Sequence, residues 1–233
     1  MSEPNARFIT RAWLGANQVE LKSHWVLLQA DTPGTCRLIV KQKAAKLTPV
    51  ALDLGWGEMV DRVFLGYVDR VQPELGGWFT LFCRELSAIL ANNLSVMLRH
   101  PTMRQVLDEI SSQTGLEFVV PDTAYTQTAL PGFYADTSGF AMLDQLGRCY
   151  RVPDFVWFQQ GNGKIYVGGY ADSFWHGKIV DIPKKFLEQQ KAGASASMMA
   201  TPKLRPNASI TIDGASHRLR ELEIMGTKQT LRW

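Results

Sequence analysis

The sequence is poor in cysteine, with only Cys36, Cys83 and Cys149 in 233 residues. An odd number of cysteines at such wide spacing fits neither a disulfide framework nor a CxxC pair that ligates a metal. Each one lies among apolar residues, so we expect all three to be small buried hydrophobic side chains. The same scarcity indicates a reducing site of folding.

Long apolar runs and an excess of one charge are also missing. No stretch approaches the roughly 20 apolar residues of a membrane-spanning helix. The N-terminal segment lacks the basic start and apolar run of a signal peptide, so we expect none. The formal net charge is only +3, and basic residues alternate with acidic ones, as in VDRVFLGYVDRV. A nucleic-acid-binding protein would concentrate them on one face. With 45% hydrophobic residues, the composition is that of a globular protein.

Reactive side chains in catalytic spacing are a third absence. No two histidines stand four apart or as HxH, so zinc has no local pair of ligands. The four are His24, His100, His176 and His217. Cys83 with His100 is a conceivable thiol and base, but Cys83 lies in a strand pattern without a sharp nucleophile turn. Burial in the core is therefore the better interpretation of Cys83.

Paired carboxylates and glycine-rich loops give no better candidate. Asp108 and Glu109 fall on the solvent side of a predicted helix, and Glu221 and Glu223 share one strand face, where solvation is the ordinary role. GxGxxG and GxxxxGK are both absent, so a phosphate-binding loop has no support. We predict no catalytic, cofactor-binding or metal-binding residues.

One polar and aromatic cluster, in YADSFWHG, leaves two interpretations open. Aromatic faces stack on sugars, so the cluster fits a carbohydrate platform. Packing at a strand end followed by a turn is favoured, because most aromatic clusters are packing. The residues concerned are Asp172, Ser173, Trp175 and His176.

Residues 1–91 contain mainly strand signals. The short runs ARFITRAWL, HWVLLQA, TCRLIVK, RVFLGYVDRV and WFTLFCREL are rich in β-branched and aromatic residues. Between the second and third runs, Asp31-Thr32-Pro33-Gly34 predicts a turn in which proline presets φ and glycine supplies a positive φ. Regular short strands of this kind predict an N-terminal β-barrel-like domain or sandwich.

Residues 92–175 predict an α+β domain. A first helix begins at Thr102, which forms a capping box with Gln105, and ends at Gly115, where only glycine takes the left-handed geometry without penalty. Its apolar stripe is Met103, Val106, Leu107 and Ile110. A short buried strand, Leu116 to Val120, is expected after it.

A second helix and a hairpin complete that domain. The helix runs from about Ser138, a favourable N-cap, to Tyr150. Phe140, Leu143 and Leu146 form its predicted buried stripe. The hairpin is FVWFQQGNGKIYVGGY, in which Asn-Gly favours a primed turn.

Residues 176–233 predict a linker and C-terminal β strands that complete a barrel. FLEQQKAGASASMMATPKLRPN lacks apolar periodicity and is typical of a linker or exposed loop. The three or so short strands that follow cannot form an independent core. They must complete a sheet supplied by the first ninety residues or by another subunit, and Trp233 is expected at an edge that needs cover. The predicted fold class is α+β, mostly β, with small β-barrel domains flanking an inserted α+β unit.

Several segments in order resemble one family. FLGYVDRV, a hairpin, CRELSAIL and then LSVMLRHPTMRQVLDEISSQTGLEFVVP are similar to the baseplate hub proteins of contractile and related phage tails. These are the late control D proteins and the hubs of Mu-like phages, with VgrG spikes of type VI secretion as relatives. The matching elements are Gly66-Tyr67-Val68, Thr102 with Val106-Leu107, Gly115-Leu116 and Leu204-Arg205-Pro206, followed by Asn207 where glycine is commoner.

The resemblance implies a structural role without catalysis or cofactor. Hub proteins of this family form homotrimers in which each protomer contributes two similar barrels, so that six near-equivalent surfaces join a threefold spike to a sixfold tail tube. The partners it implies are the tail tube, distal tail proteins and the spike protein, with DNA passing through the channel without sequence recognition. It also implies a virion location, in the tail baseplate, after assembly in the host cytoplasm.

Two alternatives stay open. The first is a glycan- or peptidoglycan-binding or hydrolysing tail protein that uses Trp157 and Trp175. The second is a VgrG-like component of a secretion spike, which has the same fold and differs only in the machine it serves.

Overall fold

The computed structural model of the chain describes residues 7–191 and 194–233. They belong to two compact units, one formed by the segments up to Glu85 and from Gly177 onward, the other by Leu86–His176. Strands predominate and a few helices accompany them. The predicted fold class, α+β and mostly β, is confirmed.

The N-terminal segment forms seven strands of a curled half-barrel sheet. They are β1 (Phe8–Leu14), β2 (Asn17–Val19), β3 (Leu21–Gln29), β4 (Thr32–Val40), β5 (Pro49–Trp56), β6 (Met59–Pro73) and β7 (Phe79–Glu85). Alternate side chains point to one face, so strands such as β4 bury every second residue, including Cys36, Leu38 and Val40.

The inserted unit, Leu86–His176, begins with a 3₁₀ turn over Leu86–Ala91. Its elements are β8 (Asn93–Arg99), α1 (Met103–Thr114), β9 (Phe118–Val119), α2 (Ala124–Gln127), β10 (Gly132–Ser138), α3 (Gly139–Cys149), β11 (Phe155–Gln159) and β12 (Ile165–Gly169). β8 pairs with β10, and β12 lies between antiparallel β11 and parallel β9.

Both predicted helices of this unit are confirmed. Thr102 and Gln105 form the capping box of α1, and Gly115 ends the helix in the left-handed region at φ 72°. Ser138 caps α3 by accepting a hydrogen bond from the Ala141 amide. The apolar stripes of the two helices share one core, although Phe140 is only partly buried.

Three local predictions in this unit are wrong or only partly right. The strand after α1 has two residues and is half-buried rather than fully buried. Cys149 is exposed, because the buried stripe of α3 passes through Leu146 and Tyr150 and leaves position 149 outside it. The hairpin exists, but its turn is not primed, since Gly163 alone in the Gly-Asn-Gly loop has a positive φ. This is a three-residue loop with a left-handed glycine.

The C-terminal segment adds seven strands. They are β13 (Ile179–Asp181), β14 (Leu187–Lys191), β15 (Ser195–Met199), β16 (Ser209–Ile212), β17 (Ala215–Arg218), β18 (Glu221–Met225) and β19 (Lys228–Arg232). Strands β13, β16 and β17 form a small separate sheet. The other four extend the N-terminal sheet, whose strand order is β14-β15-β19-β18-β3-β4-β7-β6-β5-β1-β2.

The C-terminal strands join the first segment because β18 pairs antiparallel with β3, from Glu221 opposite Gln29 to Met225 opposite Trp25. The expectation of a linker or loop in FLEQQKAGASASMMATPKLRPN is wrong where β14 and β15 form. Ala196 and Met198 of β15 are buried at strand spacing, and pairing with β19 outweighs the weak local propensity. The expected edge at Trp233 is also wrong, because β19 lies between β15 and β18.

The turn between β3 and β4 has Ala30 and Asp31 at its centre, two residues before the Thr32 and Pro33 of the predicted turn Asp31-Thr32-Pro33-Gly34. Asp31 has the positive φ, 57°, and Gly34 is already inside β4. Glycine is required at position 34 for space, since a Cβ there would lie 2.6 Å from Leu28 Cδ2 and 2.9 Å from Glu85 Cδ.

Candidate assembly site

The β3–β18 seam, where the two segments of the first unit meet, is held by side chains as well as by the strand ladder. Trp25 Nε1 donates to Glu223 Oε1 at 2.8 Å, and Gln29 Nε2 donates to Glu221 Oε2 at 2.8 Å. Arg232 contacts both carboxylates. Glu221 and Glu223 do share a strand face, as predicted, and there they bind the neighbouring strands.

His24 is buried at the same seam. Its Nε2 lies 3.2 Å from the carbonyl oxygen of Gly226, in the turn between β18 and β19. Desolvation lowers the pKa of His24, and the contact with the Gly226 carbonyl offsets this only in part. A neutral ring is therefore the form that fits the closed seam.

A second connection between the segments is the ion pair of Glu85 and Arg205. Arg205 Nη1 lies 3.9 Å from Glu85 Oε1, and the side chains are 13% and 7% exposed. The amide of Gly34 donates to the other carboxylate oxygen at 2.7 Å. Charges so far from water need such partners, because an isolated buried charge is strongly unfavourable.

Burial shifts both members of the pair toward their neutral forms. It raises the pKa of Glu85, with Arg205 and the Gly34 amide acting in the opposite direction. It lowers the pKa of Arg205, which Glu85 partly offsets. The pair is therefore maintained by mutual attraction against a desolvation cost.

Arg205 also satisfies a backbone irregularity in β6. The pairing of β5 with β6 shifts register between Leu52 and Asp53, which leaves Val63 as an extra, bulged residue. Arg205 Nη2 donates to the carbonyl oxygens of Val63 at 2.8 Å and of Arg62 at 3.0 Å. A bulge interrupts the ladder, and the guanidinium supplies donors at that point.

Asn207, which replaces the commoner glycine of the resembling motif, adopts φ 71°. Asparagine is one of the few L-residues that enter this left-handed region readily. Its Oδ1 accepts from Arg218 Nε at 3.1 Å and Nη2 at 2.9 Å. Asparagine is therefore compatible with the left-handed backbone at position 207, and its side chain is held in a buried position.

Gly66 of the Gly66-Tyr67-Val68 motif is required by a close approach of two strands. A Cβ at this position would lie 1.9 Å from the carbonyl oxygen of Arg84 and 3.0 Å from the Cα of Glu85. No side chain fits there unless β6 and β7 separate. The motif thus places β6 directly against the residue that pairs with Arg205.

Cys83 and His100, which were weighed above as a thiol and base and not favoured, belong to different units. Cys83 lies in the first unit and His100 in the inserted one. Cys83 is buried opposite Cys36 in the β4–β7 ladder, and burial raises its pKa to about 12. The thiol therefore stays protonated at neutral pH, as a core residue does.

The remaining histidines and helix carboxylates are dispersed. His176 and His100 are exposed, and the His217 ring lies 5.0 Å from that of Trp233. Glu109 accepts a hydrogen bond from Gln113 on the surface of α1. Within residues 7–191 and 194–233, no three His, Cys, Asp or Glu side chains form a metal-ligating group. In the same ranges, no helix has the length and hydropathy needed to cross a bilayer.

Within the polar and aromatic cluster of YADSFWHG, Asp172 and Trp175 both contact neighbouring residues of the inserted unit. Tyr125 Oη donates to Asp172 Oδ2 at 2.7 Å and accepts from the Gly169 amide at 2.9 Å. Trp175 packs against a small core of Val156, Phe158 and Tyr166. The carboxylate and the indole are therefore engaged at the end of β12.

Trp157 does not act with Trp175 as a glycan platform. Trp157 is 5% exposed and belongs to the main core of the inserted unit. Its ring stacks on Phe140 with centroids 5.4 Å apart. Neighbouring residues of β11 face opposite sides, which places Trp157 on the side away from Trp175 and its small core.

Sequence reasoning missed Glu85 as a functional residue. A signal was present, because Glu85 continues the two-residue period of Leu81 and Cys83, both buried. A carboxylate at a strand position that points to the buried face indicates that it has a buried partner. Nothing local identified Arg205 as that partner, since it lies 120 residues later.

Comparison with known proteins places this fold among phage tail proteins. No family model matches the sequence. An uncharacterized 58.7 kDa protein in the lys 3′ region of Haemophilus phage HP1 is 26% identical over 226 residues. The match spans 97% of this chain and 42% of the phage protein's length.

Solved structures give closer agreement in fold than in sequence. The 43 kDa tail protein of prophage MuSo2 from Shewanella oneidensis has a TM-score of 0.69 at 10% identity, with 97% of both chains covered. The E. coli c3393 protein, a type VI secretion component with structural similarity to the T4 tail proteins gp27 and gp5, has a TM-score of 0.65 at 10% identity. It is covered over 75% of its length, and this chain over 94%. The chain therefore has the fold of phage tail proteins and of related secretion proteins.

Proposed function

We propose that this chain is a structural component of a bacteriophage or prophage-derived tail. Its role is that of a baseplate hub protein, which adapts the sixfold tail tube to the threefold spike as a trimeric ring. The observation that carries the proposal is the shared fold with a prophage tail protein over 97% of both chains. The ordered motifs from Gly66 to Asn207 support the finer assignment. Each of these four motifs has a role in the fold that explains its residues.

The open sheet supports assembly by strand edges. In the sheet order of the described residues, β2 and β14 stand at the two ends, and end strands of a sheet can pair with another chain through their backbones. Because the two edges differ, contacts between them are head-to-tail, and three copies close into a ring when each step turns by a third of a circle. The task is mechanical and non-enzymatic.

The proposed domains are arranged along the chain as follows. The strands of the half-barrel sheet come from the described segments up to Glu85 and from Gly177 onward, and Leu86–His176 is the α+β domain inserted between them. The partners are the tail tube, distal tail proteins and the spike, with DNA passing through the channel without sequence recognition. The protein acts in the virion tail after assembly in the host cytoplasm.

The experiment combines light scattering on the purified chain with negative-stain imaging of antibody-labelled tail particles. We expect trimers at high concentration and label at the spike end of the tail. A monomer both in solution and in the particles would contradict the proposal. Trimers in solution without label on any tail would contradict the tail location.

A VgrG-like secretion spike component is the second candidate. It is supported by the likeness to the E. coli secretion protein and to the Francisella PdpA–VgrG complex, whose TM-score is 0.61 at 8% identity over 98% of this chain and 53% of that chain. Mass spectrometry of purified tail particles, compared with secreted fractions of the same cells, separates the two machines.

A further inference from the structure

The solvent side of four neighbouring strands carries a row of arginine and aromatic side chains. The strand register places Trp25 of β3 opposite Arg37 of β4, and Arg37 opposite Phe82 of β7. Phe82 in turn lies opposite Arg70 of β6. In the next row, Arg84 of β7 lies opposite Tyr67 of β6. Three arginines therefore share one side of the sheet.

This surface is concave rather than flat. An open concavity of about 570 Å³ lies over it, and a bulge in β6 shapes its wall. The bulge falls between Val68 and Arg70, so Asp69 is the extra residue and lines the concavity together with Arg70. The other lining residues are Trp25, Thr35, Cys36, Arg37, Phe82, Cys83 and Arg84.

The concavity has more positive than negative charge. Arg84 Nε lies 3.8 Å from Asp69 Oδ2, and both side chains are about half exposed. The Arg70 guanidinium lies 4.1 Å from the Phe82 ring centroid. Arg37 is exposed and has no ion-pair partner in the part of the chain that the structure describes. Three cations thus face one carboxylate.

Two acidic residues of the neighbouring strand β18 are already engaged by other side chains. Glu223 accepts from Trp25 and Glu221 accepts from Gln29, and Arg232 contacts both carboxylates. They are therefore not free to balance the arginines of the concavity.

We propose that this arginine concavity, lined by Arg37, Arg70 and Arg84, docks an acidic segment of a partner protein. Guanidinium groups bind carboxylates in paired, directional hydrogen bonds. Arginine, tryptophan and tyrosine are also the residue types that contribute most to protein–protein binding. The inference rests on the proposed function only in that it assigns a partner-binding surface to an assembly protein.

A carboxylate-bearing segment fits better than nucleic acid. A nucleic-acid surface gains its affinity from a broad basic stripe that contacts many phosphates. Here the excess is two charges, and Asp69 lies among them, where it would repel a continuous phosphate backbone. A segment with two carboxylates matches that excess.

The test uses the full chain and a fluorescein-labelled 12-residue peptide of alternating glutamate and alanine. We expect saturable binding that weakens with salt, and no binding of the same peptide with glutamine in place of glutamate. Arg37→Gln/Arg84→Gln should weaken binding at least tenfold. The charge-matched control Arg11→Gln/Arg220→Gln, at exposed sites elsewhere on the unit, should change it less than twofold.

Other outcomes overturn the proposal. Equal binding of the two peptides, or an equal loss of binding in the control variant, shows that the concavity does not recognise carboxylates. Tighter binding of a 12-nucleotide single-stranded DNA through the same arginines assigns the site to nucleic acid. If light scattering shows that Arg37→Gln/Arg84→Gln dissolves a wild-type oligomer, a second copy is the occupant. None of these results depends on whether the chain is found on tails.

Discussion

Arg205 donates to the carbonyl oxygen of Val63, 2.8 Å away and 142 residues earlier in the chain. The same side chain forms the buried pair with Glu85. One residue of the segment between β15 and β16 therefore stabilises both a bulge in β6 and a carboxylate at the end of β7. This contact explains why an arginine within Leu204-Arg205-Pro206 matters to the first ninety residues.

Replacement of Arg205 by methionine should destabilise the protein. The change leaves the Glu85 carboxylate buried without its cation and the Val63 carbonyl without a donor, so we expect a loss of about 3–5 kcal/mol in the free energy of unfolding. Chemical denaturation followed by circular dichroism measures it. Arg220→Met is the control, because Arg220 is exposed, and it should cost no more than about 0.5 kcal/mol.

Removing both charges separates the two roles of Arg205. In Glu85→Leu/Arg205→Met the unpaired carboxylate is gone, so the double variant should be more stable than Arg205→Met alone. If the loss in the free energy of unfolding of the double variant equals the sum of the two single losses, the two side chains do not stabilise each other.

Gly66→Ala should destabilise the protein by about 3 kcal/mol, at the upper end of overpacking costs. The reason is steric, since the new Cβ would lie 1.9 Å from the Arg84 carbonyl oxygen. Gly177→Ala is the comparison, because Gly177 has φ +73° and open space around it, where an alanine costs about 1–2 kcal/mol. Thermal unfolding of both variants gives the order, and equal losses would mean that β6 and β7 can separate freely.

Acid should weaken the β3–β18 seam through His24. Its pKa in the folded protein lies below the ordinary value of about 6.5, so the unfolded chain binds the proton more readily. The stabilisation from the neutral ring is complete above about pH 6.5 and is lost as the pH falls below it. Glu85, whose pKa is raised, acts with the opposite sign, and its effect begins near its ordinary value of 4.5.

The measurement is the free energy of unfolding between pH 7.5 and 5.5. The wild type should lose stability across this interval, and His24→Leu should show a flatter slope. His100→Gln removes an exposed histidine and is the control. A slope that survives in His24→Leu would assign the pH dependence to other groups.

Thiol reactivity should distinguish Cys149 from the other two cysteines. Cys36 and Cys83 are buried and have raised pKa values, whereas Cys149 is exposed. Ellman's reagent should titrate about one thiol rapidly in the native protein and all three in denaturant. Cys149→Ser should abolish the rapid phase, and a rapid phase that persists would show that the β4–β7 ladder opens readily.

The parts of the fold that depend on neighbouring residues could be predicted from sequence. Helix α1 is an example, because its cap at Thr102, its stripe and its stop at Gly115 all lie within fourteen residues. The β6–β7 hairpin is similarly local. Such signals are independent of what the rest of the chain does.

The parts that depend on distant pairing could not. Two bulged residues, Val63 and Asp69, reset the alternation of β6, so its sequence shows no clean period. Strand β15 forms because β19 lies beside it, and Gly34 is needed because Glu85 approaches it. The pairing of Glu85 with Arg205 is created by the three-dimensional fold, and no spacing of residues in the sequence indicates it.

The β3–β18 pairing has a consequence for the order of events during synthesis. Trp25 and Glu223 are 198 residues apart, so at about 5–20 residues per second the ribosome needs roughly 10–40 s to supply the second after the first. Throughout that interval one border of the nascent N-terminal sheet has no strand beside it. Any chaperone that protects newborn chains from pairing with one another must act there, and within that time.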